Sequence, residues 1–178
     1  MNLKTTSFAL LLCGGLLLTG AAVQAESIKT PVNKISADGV GEEIGFITFS
    51  DADGGGVDVF VDLTGLPEGE RGMHLHENAS CAPAEKDGQM VAGLAAGGHY
   101  DPMNTDRHAG PGKNGHKGDL PRITVDADGK AKTRLHVDNL QVKDLKGHSV
   151  MVHAGGDNYP DTPPLGGGGA RIACGVIK

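Results

Sequence analysis

The chain has 178 residues, with 16 Lys and Arg against 22 Asp and Glu and a formal charge of −6 at pH 7. This acidic balance argues against nucleic-acid binding, because the chain offers no basic stripe to displace counterions from phosphates. A hydrophobic content of 38% argues against a disordered chain, and 8 His in so small a protein require an explanation.

Residues 1–25 have the layout of a secretory signal peptide. Lys4 is their only charge, an apolar stretch follows over Phe8–Leu18, and small residues close the segment. A transmembrane anchor is the alternative, but the apolar run is short and no stop-transfer charges follow it. Cys13 lies within that run, where lipidation is not expected. We therefore expect an exported protein with no membrane anchor after signal removal, and a mature chain, residues 26–178, that forms one domain.

The rest of the chain shows short alternating runs and no helical periodicity of useful length. The turn sequences Asp51–Gly54 and Asp126–Gly129 separate paired runs. Eight strands are predicted, at Ser27–Ser36, Glu42–Ser50, Val57–Thr64, Arg71–Glu77, Pro121–Val125, Lys130–Val137, Ser149–Ala154 and Ala170–Ile177. Eight short strands with hairpins favour an antiparallel barrel or sandwich.

Two long stretches, Asn78–Leu120 and Gly155–Gly169, are predicted to be without strands. Loops of this length are usually functional or disordered, and these carry His, Asp and Cys, which flexible spacers seldom do. Cys81 and Cys174 are the two cysteines of the mature chain. Free thiols or a metal pair are possible, but in an oxidising compartment we expect a disulfide, which would tie the first loop to the last strand.

Histidines are concentrated on two strands and in the first long loop. His74 and His76 are two residues apart on a strand, so both side chains project from one face. Two exposed histidines on a strand are commoner than a pair of metal ligands, so this motif alone is weak evidence for a metal site. Further candidate ligands are His99, His108, His116, Asp119 and His153. Three His and one Asp are the ligand types of a closed tetrahedral zinc site.

Six motifs, in order along the chain, carry a resemblance to a known family. They are GMHLHE (72–77), GGHYDP (97–102), HAGP (108–111), GHKGDLP (115–121), MVHAGGD (151–157) and GGARIACGVI (168–177). The sequence resembles the copper/zinc superoxide dismutases of the bacterial exported type over nearly all of residues 26–178. The resemblance implies an all-β, eight-stranded antiparallel Greek-key β-barrel with two long functional loops, and agrees with the strand count.

The resemblance also implies the activity. One Cu and one Zn per chain would dismute superoxide to O₂ and H₂O₂, with copper cycling between Cu(II) and Cu(I) and zinc serving as scaffold. The expected location is the periplasm, where the enzyme would protect the cell envelope from superoxide. Monomer and homodimer both remain open.

The resemblance assigns a role to each site residue. The implied copper ligands are His74, His76, His99 and His153. The implied zinc ligands are His99, His108, His116 and Asp119, so that His99 bridges the two ions and can take up a proton. Asp157 matches the outer carboxylate that ties a copper-ligand histidine to a zinc-ligand histidine. Arg171 matches the active-site arginine, and Cys81–Cys174 matches the family disulfide.

Two other functions use the same residue types. A metal-buffering protein would bind metal through these histidines without turnover, but it has no need of a bridging His99. A zinc hydrolase would need a general base near its ligands, and the nearest candidate, Glu77, lies on the wrong strand face.

The remaining charged loop residues and histidines are expected to lie outside the site. His136 continues an outward row with Lys132 and Arg134, and His148 falls on the strand face opposite His153, so neither is expected to bind metal. Lys113 and Lys117 lie in the zinc loop and are interpreted as solvated charges.

Overall fold

The computed structural model describes residues 26–178, so the predicted signal peptide, residues 1–25, lies outside the described residues. In residues 26–178 the only helical segments are 3-10 turns at Leu94–Ala96, Val142–Asp144 and Pro164–Gly167. The strands are β1 Ser27–Ser36, β2 Gly39–Asp51, β3 Val57–Leu63, β4 Gly69–Arg71, β5 Met73–His76, β6 Ala84–Lys86, β7 Gln89–Val91, β8 Ile123–Val125, β9 Ala131–Val137, β10 Ser149–His153 and β11 Arg171–Val176. The all-β prediction is confirmed, and each of the eight predicted strands is present with bounds shifted by three residues or fewer.

The strands form one curled antiparallel sheet in the order β5-β10-β11-β1-β2-β3-β9, with β4 and β8 paired separately. The first strand lies beside the last, and the β5–β10 and β3–β9 pairs join strands that are distant in sequence. Such crossovers fit the Greek-key connectivity implied by the resemblance. The predicted strand Arg71–Glu77 is divided at Gly72: β4 pairs with β8, whereas β5 pairs with β10. This segment therefore connects the two sheets.

Alternation along the strands places one face of each in the hydrophobic core. In β3, Val57, Val59, Val61 and Leu63 are fully buried, while Asp58, Phe60 and Asp62 between them are partly or fully exposed. Met73 and Leu75 of β5 pack into the same core. His74 and His76, on the other face of β5, are also buried, which requires the long loops to cover that face.

The prediction that Asn78–Leu120 lacks strands is wrong in part. β6 and β7 form a small hairpin there, because Asp87 and Gly88 both adopt positive φ, of 55° and 78°, and close a two-residue turn. An Asp-Gly pair is a known signal for such turns. The predicted disulfide Cys81–Cys174 is confirmed, with its Cα atoms 5.7 Å apart, and it ties the segment that carries the hairpin to β11.

Candidate metal centre

β5 is an edge strand of the main sheet, and backbone from the first long loop covers its unpaired edge. The amide of Leu75 donates to the carbonyl of Gly118 at 2.9 Å, and the carbonyl of Leu75 accepts from the amide of Tyr100 at 2.9 Å. Isolated bridges also pair His74 with Asp119 and His76 with His99. Gly118 permits this approach, because a Cβ there would lie 2.5 Å from the carbonyl oxygen of Leu75. Strand and loop together bring the candidate ligands into one buried region.

The first cluster consists of four buried histidines whose candidate ligand atoms all lie within 4.8 Å of one another: His74, His76, His99 and His153. Nδ1 of His76 donates to the carbonyl of Gly97 at 3.0 Å, and Nδ1 of His153 donates to that of Gly169 at 3.3 Å. A carbonyl only accepts, so both rings carry their proton on Nδ1 when neutral. Their Nε2 atoms are buried without a hydrogen-bond partner and present free lone pairs to the cluster.

The second cluster is built around one carboxylate oxygen. Oδ1 of Asp119 lies 3.1 Å from Nδ1 of His99, 3.0 Å from Nδ1 of His108 and 3.2 Å from Nδ1 of His116. Its other oxygen accepts from the amides of Ala109 at 3.0 Å and Gly110 at 3.3 Å, which fixes its orientation. Four ligands at about 2.0–2.1 Å from a tetrahedral zinc ion are separated by about 3.3 Å. The observed spacing therefore fits zinc.

Asp157 joins the two clusters. Its carboxylate is buried, with Oδ2 2.7 Å from Nε2 of His74 and Oδ1 2.9 Å from Nε2 of His108. Both rings therefore donate from Nε2. Nδ1 of His74 is buried without a hydrogen-bond partner, whereas Nδ1 of His108 faces Oδ1 of Asp119 at 3.0 Å. A ligating histidine whose second nitrogen donates to a carboxylate is typical of metal sites. The donor set and the free lone pairs fit two metal ions.

Burial keeps the histidines of the first cluster neutral. It lowers the pKa of His76 to about 2, with a further decrease from the charge of Arg171, and it lowers the pKa of His153 to about 3 and that of His99 to about 4. His108 differs: burial alone would lower its pKa, but the carboxylates of Asp119 and Asp157 raise it to about 9. A metal ion that binds Nδ1 of His108 would therefore have to displace a proton at neutral pH.

Arg171 lies beside the first cluster on β11. It donates from Nη1 to the carbonyl of Gly93 at 2.5 Å and from Nη2 to that of Gly97 at 2.6 Å. Gly97 is also the acceptor for His76, so one carbonyl orients both the arginine and a histidine of the cluster. Glu77 fixes Gly98, the residue after Gly97, because Oε2 of Glu77 accepts from the amide of Gly98 at 2.8 Å. The carboxylate of Glu77, which a zinc hydrolase would need as its general base, is thus engaged with the loop backbone.

The structure brings six of the seven predicted ligand residues into two groups of mutually close atoms, of which the second contains His74 beside His99, His108 and Asp119. His116 reaches this second group through its 3.2 Å contact with Asp119, and the other histidines lie outside both clusters. His136 lies on the outer face of the sheet, paired with Asp58 and Asp138. His148 contacts the carbonyl of Glu77 at 2.8 Å and stacks on Tyr100.

Some ion pairs and hydrogen bonds around the site were not predicted from the sequence. Lys117 is not a freely solvated charge, because it forms a partly buried ion pair with Asp144 at 2.8 Å. Arg122, Tyr159 and Asp161 also contact the loops around the site, without any sequence motif that marks them. Across residues 26–178, no helix is both long enough and apolar enough to span a bilayer.

Comparison with known proteins agrees with this geometry. Residues 43–177 match the family described as Copper/zinc superoxide dismutase (SODC). The chain is 51% identical over 156 residues to a copper-zinc superoxide dismutase of Brucella abortus biovar 1 (strain 9-941), covering 86% of this chain and 90% of that protein.

Solved structures give the same result. The Cu/Zn superoxide dismutase from Brucella abortus matches with a TM-score of 0.83 and 50% identity, over 86% of this chain and 100% of that one. The solution structure of the monomeric copper, zinc enzyme from Salmonella enterica matches with a TM-score of 0.77 and 48% identity, over the same shares. The fold, the two ligand clusters and these similarities agree, and the chain belongs to the copper/zinc superoxide dismutase family.

Proposed function

We propose a specific division of ligands within a superoxide dismutase that uses copper and zinc. The proposed copper ligands are His74, His76, His99 and His153, and the proposed zinc ligands are His99, His108, His116 and Asp119. The observation that carries the proposal is the convergence of buried ring nitrogens whose proton positions are fixed by hydrogen bonds on the far side of each ring. These nitrogens can serve only as metal ligands or remain unpaired.

His99 is the proposed bridge between the ions. Geometry alone groups both His74 and His99 with each cluster. Nε2 of His74, however, is bonded to Asp157, which leaves that ring a single free nitrogen. Nδ1 of His99 lies in the zinc cluster beside Asp119, and its Nε2 has no hydrogen-bond partner within residues 26–178. Of these two rings, only His99 has an Nε2 without a partner and an Nδ1 whose one partner is itself a proposed zinc ligand, so His99 is the ring that two ions can share.

Two side chains have proposed catalytic roles. A copper ion held by these residues would supply the one-electron Cu(II)/Cu(I) couple that dismutation of superoxide to O₂ and H₂O₂ requires, and zinc would be the redox-inert partner. The second half-reaction consumes two protons, and Nε2 of His99 is placed to hold one of them. Arg171 supplies a positive charge beside the copper ligands and attracts the anionic substrate, which a chain with a negative net charge would otherwise repel. Asp157 orients His74 and His108.

The test is to express residues 26–178, load copper and zinc, and follow superoxide decay by stopped flow. We expect rapid catalysed decay, and a loss of at least about tenfold in His99→Gln, whereas His136→Gln on the outer face retains the wild-type rate. Anomalous diffraction at the copper and zinc edges would locate each ion. Metal binding without decay would identify a metal buffer, and a His99 ring that contacts only one ion would refute the bridge.

We also propose that residues 1–25 direct the protein to the periplasm and are removed there, and that the mature unit is a monomer or a homodimer. The site supports either state, because all of its proposed ligands come from a single chain. Cell fractionation with N-terminal sequencing tests the first proposal: cytosolic protein that begins at Met1 would contradict it. Sedimentation with activity measured across concentrations tests the second, and activity that vanishes on dilution would show that one chain is insufficient.

A further inference from the structure

Asp157 is held in place by Arg122 and Tyr159, two residues that lie outside the family motifs. Oδ1 of Asp157 accepts the amide of Tyr159 at 2.7 Å in addition to Nε2 of His108. The backbone carbonyl of Asp157 accepts Nη1 of Arg122 at 2.8 Å. The buried carboxylate is therefore fixed through both its side chain and its main chain.

Arg122 links three parts of the molecule. It lies directly before β8, its Nε pairs with Oε1 of Glu70 on β4 at 2.9 Å, and its guanidinium lies over the ring of Tyr159, 5.2 Å from the centroid. Its backbone amide also points to the hydroxyl of Tyr159 at 3.4 Å. Arg122 therefore connects the β4–β8 pair with the loop that carries Asp157.

The backbone of Tyr159 is strained, with φ at 70°. Left-handed backbone is unfavourable at a bulky residue and persists only where the surroundings impose it. This conformation directs the Tyr159 amide at Asp157, and the side chain packs against the zinc loop, where a Cβ on Gly110 would lie 2.7 Å from the Tyr159 Cβ. The Gly110 amide in turn points to Asp119. Tyr159 thus contacts both the carboxylate between the clusters and the loop of the zinc cluster.

We propose that Arg122 and Tyr159 form a clamp that positions Asp157, and that this clamp determines how slowly zinc leaves the site. Both are positioning residues, since they touch neither cluster's ligand atoms and act through Asp157. The inference rests on the role proposed above for Asp157. Without Arg122, the Asp157 carbonyl loses its donor and the strained Tyr159 backbone loses the contacts over its ring. The carboxylate can then shift away from His74 and His108.

The experiment measures the rate at which the copper- and zinc-loaded protein releases zinc to a chromogenic chelator, and the electron paramagnetic resonance spectrum of Cu(II). Loss of an outer partner of a metal ligand typically weakens metal binding about 10–100-fold, so Asp157→Asn should release zinc faster by about that factor. Arg122→Ala acts one step further away and should accelerate release about 3–10-fold. Arg122→Lys, which keeps one donor for the carbonyl, should fall between Arg122→Ala and wild type.

The matched control is Arg134→Ala, which removes another ion-paired arginine, bonded to Asp58 on the outer face of the sheet. It should leave zinc release and the Cu(II) spectrum unchanged. The decisive variant combines Arg122→Ala with Asp157→Asn: a clamp that acts through Asp157 predicts zinc release no faster than in Asp157→Asn alone. Arg122→Ala should also shift the Cu(II) spectrum in the same direction as Asp157→Asn.

The outcomes distinguish the role of Asp157 from the role of the clamp. If Asp157→Asn accelerates zinc release and Arg122→Ala does not, the clamp is refuted and the role of Asp157 stands. If the two substitutions accelerate release additively, Arg122 acts by another route and the clamp is again refuted. If Asp157→Asn has no effect, both the role of Asp157 and the clamp fail. A lower melting temperature of Arg122→Ala with unchanged zinc release would identify a structural residue only.

Discussion

At the scale of single residues, three ring nitrogens of the site lack any polar contact. Nδ1 of His74 and Nε2 of His76 and His153 are buried without a hydrogen-bond partner, whereas Nδ1 of His108 faces the carboxylate of Asp119. A buried polar group left unpaired costs about 1–3 kcal/mol. The metal-free fold carries this cost at each of the three nitrogens, and a metal ion bound there would remove it. We therefore expect metal binding to stabilise the fold.

Arg171 is the residue whose removal should change the approach of the substrate most directly. Its guanidinium is anchored by the carbonyls of Gly93 and Gly97, and residues 26–178 carry 15 basic and 22 acidic residues. A local positive charge in a negative surface raises association rates by about 10-fold or more at low salt. We expect Arg171→Ala to lower the catalytic rate about tenfold and to weaken inhibition by anions. Stopped-flow decay of superoxide at increasing ionic strength measures both effects.

The salt dependence distinguishes attraction from a structural effect. Wild type should slow as salt screens the arginine, whereas Arg171→Ala should respond less. Arg134→Ala removes the same charge far from the site and serves as the control. Equal rates for wild type and Arg171→Ala at low salt would show that Arg171 does not guide the substrate.

At the scale of elements, the disulfide holds the segment on which Arg171 and His76 depend. Cys81 and Cys174 are separated by 93 residues and join the first loop to β11. Closing a loop of that length in the unfolded chain contributes about 4–5 kcal/mol in the chain-entropy model. For a domain of this size, that corresponds to a fall in melting temperature of about 10–15 °C. We expect this fall in the metal-free double variant Cys81→Ser/Cys174→Ser, measured by thermal unfolding.

Reduction of the wild-type protein provides the control for this prediction. It breaks the same bond without changing a side chain, so it should reproduce the shift, while the reductant should leave the double variant unchanged. A melting temperature of the double variant within a degree or two of wild type would mean that the loop is held by its backbone contacts alone.

Strands were predictable from the sequence because their signal is local. Alternation and turn residues locate β1, β3 and β10 closely. The break at Gly72 was not predictable, because it follows from the pairing of β4 and β5 with different strands. The β6–β7 hairpin carried a usable Asp-Gly signal, but its strands are only three residues long and lack a hydrophobic alternation.

The site residues divide in the same way. His74, His76 and Asp119 lie in motifs dense enough to indicate metal ligands from the sequence, with the resemblance supplying their roles. Arg122 and Tyr159 act through a backbone carbonyl and a backbone amide, contacts that any sequence of suitable geometry can make. Only the fold reveals that residues 37 positions apart meet there.

At the scale of the whole molecule, burial of the histidines should make the metal-free protein sensitive to acid. Burial lowers the pKa values of His76, His153 and His99 to about 2, 3 and 4, against about 6.5 in an unfolded chain, and it also lowers the pKa of His74. Below pH 6.5 the unfolded chain therefore binds protons that the folded protein does not. Its free energy of unfolding must fall as the pH decreases through this window, by up to about 1.4 kcal/mol per pH unit for each residue.

His108 has the opposite effect at higher pH. Its pKa is raised to about 9 by the two carboxylates, so the stability it contributes is complete below pH 6.5 and is lost as the pH rises through 9. Below pH 6.5 it is protonated in both states and leaves the slope set by the four buried histidines with lowered pKa values unchanged. The metal-free protein should accordingly be most stable near pH 6.5. Its stability should fall more steeply on the acid side, where four buried histidines titrate, than on the alkaline side, where only His108 and the exposed His136 have raised pKa values.

Urea unfolding of the metal-free protein at pH 5, 6.5 and 8.5 measures this profile. The acid slope should be shallower in His153→Gln, because one of the four histidines with lowered pKa values is removed while the new side chain still offers an amide donor for the carbonyl of Gly169. Equal stability at pH 5 and pH 6.5 would show that the buried histidines take up protons in the folded state. In that case the first cluster would be open to water in the absence of metal. Its ring nitrogens would then carry protons at pH 5 and would not offer free lone pairs to a metal ion.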